Sequence, residues 1–398
     1  MHLRRNWATL CCVLALEPVL VPATTLYMSP SGSDSNTGGS ATKALMTLQG
    51  VLDRVKAAQP VDAVNIVVAE GTFLSQSVTW TYFNGEPITF APPAGAKTKP
   101  VFDGEGAGLT WFTVGDSADA AVPTNLHFVG LAVTNYWLGL DLGRDKAAGN
   151  SHNEVRGMLF ERVGAFYTHG LPSPKGYAAL RLRQSSNNTI TGNRFHGVKN
   201  SDAADSDSDG KDEDLTSYIH AVYAAHQSSG NVIADNEFNQ VTGDAVRTRD
   251  GSDDNLIEGN RFVAAGKYSA YSDWIDDTGD ECPSHGNRFL DNVVGDGYLG
   301  PFKAGFVTHV YGPDDRCSDG NGGALPPRII ESVFRAGSRI CLGIHLARME
   351  LRIAAVMFFR ECRGARLAET MDDWVMAMEN RFLVASRGHR CEVTLCAE

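Results

Sequence analysis

Three short segments carry the residues best suited to chemistry: ALRLRQSS from Ala179, AVYAAHQSS from Ala221 and AVRTRDGS from Ala245. Aligned as strands with Leu180, Val222 and Val246 pointing inward, together with Leu182, Ala224 and Thr248, they turn the alternate residues outward. Arg181, Tyr223 and Arg247 then form one outward column, and Arg183, Ala225 and Arg249 the next. Gln184, His226 and Asp250 lie at the adjoining corner. Four guanidinium groups on one face can hold carboxylates in bidentate fashion. β-Elimination from a uronic acid needs three things: its carboxylate neutralised, a base for the C5 proton, and a proton donor for the leaving oxygen. Arg181 or Arg247 would do the first, and Tyr223 or His226 the others, with Arg183 and Arg249 as further substrate-binding groups. Hydrolysis competes, because two carboxylates flanking a glycosidic bond suffice, and Asp244, Asp250, Asp253 and Asp254 lie near the same face. A non-catalytic carbohydrate-binding coil is the third alternative, with a ladder of paired surface charges as its bland counterpart.

A second cluster lies in DSDSDGKDED. Asp205, Asp207, Asp209 and Gly210 match the opening of a calcium loop and Glu213 its ninth position, although the twelfth is Thr216 and no helix flanks it. The segment reads either as a solvated acidic insertion or as a calcium site able to bridge to a substrate carboxylate.

The elements that must position these groups come from a repeat. An apolar residue, any residue, Gly or Asp, two more residues and an apolar residue recur at FVGLAV from Phe128, VRGMLF from Val155, ITGNRF from Ile190, IADNEF from Ile233, IEGNRF from Ile257 and FLDNVV from Phe289. The shortest spacing, 24 residues, sets the length of a turn, and longer spacings add loops. Gly, Asn and Asp between apolar ends favour left-handed corners between short strands. Stacked turns pair each strand with its counterpart one turn away, which predicts parallel sheets around one apolar interior. Asn193, Asn236, Asn260 and Asn292 share a repeat position where amides can bond along a ladder. Leu45, Leu48, Val51, Leu52 and Val55 follow helical spacing between Ala44 and Lys56, as expected of a cap on the open N-terminal end, and VNIVVAEGTF after it reads as the first buried strand.

LYMSPSGSDSNTGGSATKALMTLQGVLDRV, then IVVAEGTF and the NxIxxNxF turns, resembles the right-handed parallel β-helix proteins of the pectin-lyase-like superfamily over about residues 25–315. The resemblance implies an all-β solenoid and includes lyases, hydrolases, epimerases and adhesins; some members use a partly deprotonated arginine as base.

Beyond Pro326 the texture changes. FRAGSRICLG, from Phe334 to Gly343, matches FxxGxRxCxG and resembles the haem-binding loop of the cytochrome P-450 family, and IHLARMELRIAAVMFFREC resembles the helix beneath that haem. By this resemblance Cys341 would ligate iron and Arg339 would meet a propionate. A fragment of about 65 residues cannot cover both faces of a haem. Haem enters by motif only, is not expected to be bound, and a monooxygenase is not expected; the fragment reads as a remnant of gene rearrangement or of a mistaken exon join.

The 398-residue chain has a formal net charge of −12. Its Arg-rich last 71 residues are slightly positive, so the rest is strongly acidic, which argues against nucleic acid or anionic membranes as partners. Arg4 and Arg5, an apolar run from Trp7 to Leu16 and small residues around Val21 to Ala23 read as a secretory signal too short to span a bilayer. Export fits a disulfide between Cys282 and Cys317 and the glycosylation sequon Asn187-Asn188-Thr189. The expected organisation is a signal peptide over 1–23, a β-helix domain over 24–325 and the fragment over 326–398, secreted, monomeric and acting on an acidic polysaccharide.

Overall fold

A computed structural model describes residues 23–310 apart from 116–121, 144–149, 169–174, 202–213, 276–280 and 304, and beyond them the backbone of strands at 330–335, 366–367, 378–379, 385–386 and 393–394. The segment read as a signal, the acidic run carrying Asp205, Asp207, Asp209 and Glu213, Cys317, Arg339 and Cys341 therefore lie outside the described residues.

The repeat builds a coil of parallel strands. Val155, Ile190, Ile233, Ile257 and Phe289 are direct partners in successive turns, and so are Phe160, Phe195, Phe238 and Phe262. These side chains are fully buried, and the rings of the second column stack at 5.0, 5.1 and 4.8 Å. Inside such a column each ring is removed from water by the rings above and below it, which is where the coil gains most of its burial energy.

Between the two columns the chain turns a corner. The third residue of each repeat is left-handed: Gly192, Asp235, Gly259 and Asp291 have φ of 63°, 55°, 65° and 52°, which is why only Gly or Asp occupies that position. The expected amide ladder is present. Asn193, Asn236 and Asn260 each donate Nδ2 to the Oδ1 of the next amide, at 2.9, 3.0 and 3.0 Å, ending on Asn292. A second ladder, at the first asparagine of the NxIxxNxF turns, for which no ladder was expected, runs through Asn153, Asn188, Asn231, Asn255 and Asn287 at 2.8, 2.7, 2.9 and 3.1 Å. Hydroxyls make a third, with Ser185 N, Ser228 N and Ser252 N donating to the Oγ of Ser228, Ser252 and Ser284.

The N-terminal end differs in detail from expectation. A strand at Thr24–Met28 precedes Val64–Val68 and pairs with it, so VNIVV is the second strand. The helix spans Leu48–Ala58, capped by the Thr47 side chain, which accepts from Gly50 N. Leu45 is buried ahead of that helix, bridged to Met28, because its backbone is used in the strand pairing. Leu48, Val51, Leu52 and Val55 close the apolar interior as predicted.

At the other end Ile330–Arg335 pairs in parallel with Arg288–Val294, so ladder pairing continues past the change of texture at Pro326. The chain divides into two compact units, 1–337 and 338–398; in the second, Arg366–Leu367 pairs with Val393–Thr394 and Met378–Glu379 with Ala385–Ser386, both antiparallel. Among the described residues no helix is long and apolar enough to cross a membrane.

Asn236 bonds to amides on both sides and donates to the Ile190 carbonyl, all without exposure to water. Asn236→Ala should cost about 2–4 kcal/mol in equilibrium urea unfolding, because it strands partners on neighbouring turns, whereas the same change at exposed Asn65, on the strand Val64–Val68, should cost less than about 0.5 kcal/mol.

Candidate functional site

The arginine-bearing strands form an eight-stranded parallel sheet made of Val78–Trp80, Thr110–Val114, Leu138–Gly143, Ala178–Arg183, His220–Ala225, Val246–Arg249, Tyr271–Trp274 and Val307–Val310. Arg181, Tyr223, Arg247 and Ser272 are register partners in successive strands, and Arg249 is opposite Trp274. Leu180, Val222, Val246, Leu182, Ala224 and Thr248 are fully buried. The alternation read from sequence thus holds, and Arg181, Tyr223 and Arg247 share one outer column.

Each arginine on this face is met by an acid. Arg181 donates to Asp141 from Nε at 3.1 Å and Nη2 at 2.6 Å, and Arg183 reaches the same carboxylate at 3.5 Å. Arg249 holds Glu281 at 2.9 and 2.6 Å and donates to the Tyr223 hydroxyl at 3.3 Å. Burial opposes the charge on Arg181 and Arg249, but the hydrogen bonds they donate to Asp141 and Glu281, with the nearby negative charge, outweigh it and raise both pKa values. The deprotonated arginine offered by the family resemblance is therefore disfavoured at these two positions. Arg247 donates Nη2 to Asp244 at 2.9 Å and Nε to Ser272 Oγ at 3.0 Å; among the described residues its Nη1 has no partner.

Beside this face lies a cleft of about 560 Å³ lined by Tyr177, Tyr218, Tyr223, Tyr268 and Trp274, with His220, Asp244, Arg247 and Arg249 among the polar groups. The Arg249 guanidinium sits 4.4 Å from the Trp274 ring centroid. Asp244 is the one carboxylate among the described lining residues, and it is fully used. Oδ2 accepts from Arg247, Oδ1 accepts from Tyr268 N and Ser269 N at 2.9 and 3.0 Å, and the residue is 1% exposed.

His220, absent from the sequence reading, is buried at the floor of this cleft, its ring 5.1 Å from that of Tyr223. Simple alternation with inward Val222 would point it into the core. Ala221 N and Val222 N, however, both converge on the Ala245 carbonyl, at 2.9 and 3.0 Å. Two consecutive N–H groups on one carbonyl break the regular pleat, and His220, Ala221 and Val222 are all buried, His220 on the cleft side. Its Nδ1 donates to the Asp244 carbonyl at 2.7 Å, which leaves the lone pair on Nε2. Burial, then the Arg247 charge, push its pKa well below the ordinary imidazole value near 6.5, against the opposing pull of that hydrogen bond.

His226 is not among the cleft-lining residues. It pairs with Asp250, Nδ1 to Oδ2 at 2.9 Å, on the corner beyond Arg249. That bond, against the opposing effect of burial, lowers the Asp250 pKa. Asp253 accepts from His285 N within the corner turns, and it and Asp254 are likewise absent from the cleft lining. Cys282 is disulfide-bonded, and Cys317, the partner suggested by sequence, lies outside the described residues. Asp141 also escaped the sequence reading; aligning LGLDLG one turn before ALRLRQ would have put it in the arginine column. Nothing in the pattern signals His220, because the shared Ala245 carbonyl that breaks the pleat is a backbone event.

Coil and cleft together define a right-handed β-helix with an aromatic-walled, cation-bearing groove on one sheet. Residues 147–300 match the family model for the right handed beta helix region. Among solved structures the chain is similar to pectate lyase Pel9A (15% identity, covering 81% of this chain and 79% of that one, TM-score 0.42). It is also similar to an alginate lyase from Paenibacillus sp. str. FPU-7 (17%, 79% and 92%, 0.42) and to PfbA, a surface adhesin of Streptococcus pneumoniae (14%, 67% and 71%, 0.34). At these identities the likeness speaks to the coil alone. The curated relatives match a different part of the resemblance: cytochrome P450 monooxygenase stcB of Emericella nidulans is 52% identical over 63 residues, and cypX of Dothistroma septosporum 49% over 65. The chain spans only 12% and 13% of the length of these two relatives.

Because folded His220 refuses a proton that the unfolded chain accepts near pH 6.5, its contribution to stability is lost as pH falls below that value. Urea unfolding between pH 5 and 7.5 should show the wild type losing up to about 1.4 kcal/mol per pH unit more than His220→Asn. Parallel slopes for the two proteins would mean that His220 is protonated when folded.

Proposed function

We propose that this chain is a carbohydrate-active β-helix protein, exported from the cell, that cleaves a uronate-containing polysaccharide by β-elimination. The observation that carries this reading is the meeting in one cleft of a neutral imidazole, a phenol and a guanidinium with unused N–H groups, alongside a single carboxylate with no free oxygen.

The sugar lies against the aromatic wall, and its carboxylate takes the Nη1 side of Arg247, lowering the charge that builds as C5 loses its proton. His220 Nε2 accepts that proton. The C5–H electrons form the C4–C5 double bond, the bond from C4 to the glycosidic oxygen breaks, and the Tyr223 hydroxyl delivers a proton to the leaving oxygen. Arg181 and Arg249 flank Tyr223 and stabilise the phenolate left behind; solvent exchange then restores the phenol and the free imidazole. The proposed roles of Tyr223 and Arg247 follow the sequence reading; Arg181, tied to Asp141, supports Tyr223 in place of the substrate carboxylate, and His220 takes the place given there to His226. Hydrolysis is less well supported, since it needs two carboxyl groups facing the scissile bond and Asp244 is committed to its own neighbours.

Incubation with pectate, alginate and glycosaminoglycans should yield ultraviolet-absorbing unsaturated ends from one of them. Tyr223→Phe, His220→Asn and Arg247→Ala should each lower kcat by about 10²-fold or more, with Arg247→Ala also raising KM. Plain reducing ends without new absorbance would assign a hydrolase, and unchanged polymer a binding protein. Full activity in Tyr223→Phe would remove it as the acid.

A further inference from the structure

On the corner beyond Arg249, side chains from three successive turns converge. His226 follows the strand His220–Ala225, Asp250 follows Val246–Arg249, and Glu281 follows Tyr271–Trp274. Each offers one donor atom, and these atoms all lie within 4.8 Å of one another. We propose that this corner is a binding site for a first-row divalent metal ion, held by one imidazole nitrogen and two carboxylate oxygens.

The distances fit such an ion. Zinc binds nitrogen and oxygen donors at about 2.0–2.2 Å, so two ligands of one ion stand about 3–4.4 Å apart. His226 Nδ1 and Asp250 Oδ2 are already 2.9 Å apart, and small side-chain rotations bring Glu281 within reach. Charge points the same way. Two carboxylates brought this close repel, and at present Arg249 offsets Glu281 while the proton on His226 Nδ1 bridges to Asp250. A divalent ion takes the Nδ1 lone pair, the displaced proton moving to Nε2 in a neutral ring or to solvent from an imidazolium, adds positive charge between the carboxylates, and leaves Arg249 as the outer hydrogen-bond donor that orients a ligating carboxylate.

The scaffold is stiff. Gly251 N donates to the Cys282 carbonyl at 2.8 Å, Cys282 N reaches Asp250 Oδ1 at 3.4 Å, and Cys282 is disulfide-bonded next to Glu281. Metal sites need this restraint, since ligands carried on mobile loops lose affinity to ordering. One nitrogen and two oxygens suit zinc or manganese; calcium prefers six to eight oxygens. Three protein ligands also leave a coordination position open to solvent or to a bound sugar. The site does not depend on the reaction assigned to the cleft.

Calorimetric titration of the chelator-stripped full chain with Zn2+ tests it, run in two buffers of different ionisation enthalpy to count released protons. Any reduced cysteine elsewhere in the chain also binds zinc, so the readout is the difference between proteins. His226→Gln, at a half-exposed position, should lose one equivalent of zinc, or bind it at least about tenfold more weakly, together with any proton release that accompanies that equivalent. Glu281→Gln should weaken the same equivalent. Wild-type stoichiometry and affinity in both variants would overturn the proposal. Ca2+ matching Zn2+ at the His226-dependent equivalent would overturn the assignment of metal class.

Discussion

A side-chain amide that accepts from one turn while donating to the next leaves a coil no freedom to slip. In this chain two such ladders, and a third of serine hydroxyls, run through buried corners where any missing partner would stand unbonded away from water. A shift of one residue in any strand would also exchange its inward and outward faces. Arg181 and Arg247 would then enter the core, and Leu180 and Val246 would meet solvent. The column of cations beside the cleft is therefore a by-product of ladders lying elsewhere on the turn, and its precision is inherited from them.

Within the cleft, pairing fixes direction more than it supplies charge. Asp141 draws Arg181 and Arg183 to one point, Glu281 holds Arg249 against Trp274, and Asp244 aims Arg247. A guanidinium tethered at two nitrogens has lost most of its rotamer freedom before a substrate arrives, so the entropy of ordering it is not charged to binding. Asp244 does more than aim Arg247. Its backbone carbonyl selects the His220 tautomer, and the arginine it holds helps to keep that ring uncharged. The tautomer of His220 and the direction of Arg247 are thus coupled through one buried residue.

What could be read in advance divides along a physical line. The Gly or Asp that opens each corner, the Phe column and the Asn193 ladder recur with the repeat, so periodicity exposes them. Arg181, Tyr223 and Arg247 could be placed on one face because side-chain direction in a strand has period two. His220 could not, because two adjacent N–H groups sharing the Ala245 carbonyl break the pleat in a way that no side-chain pattern marks. The helix start was misplaced for a related reason: Leu45 is apolar and in helical phase, yet its N–H and C=O are taken by the strand Thr24–Met28 and by Ser29. His226 has a half-exposed, strand-end position that suggests a reactive group, and only the next two turns, bearing Asp250 and Glu281, show that it faces a different cluster.

The junction near Pro326 follows the same logic of backbone before side chain. Composition changes there, yet Ile330–Arg335 still pairs with Arg288–Val294, and the chain divides only after Gly337. Ladder hydrogen bonds are made by groups that every non-proline residue carries, so the last turn of a coil accepts whatever extended segment follows it. An unpaired edge would otherwise offer its N–H and C=O groups to other chains. Phe334 and Arg335, the first residues of the FxxGxRxCxG motif, belong to this closing strand. Their backbone is in use by the β-helix, and a segment whose sequence resembles one family thereby completes the sheet of another.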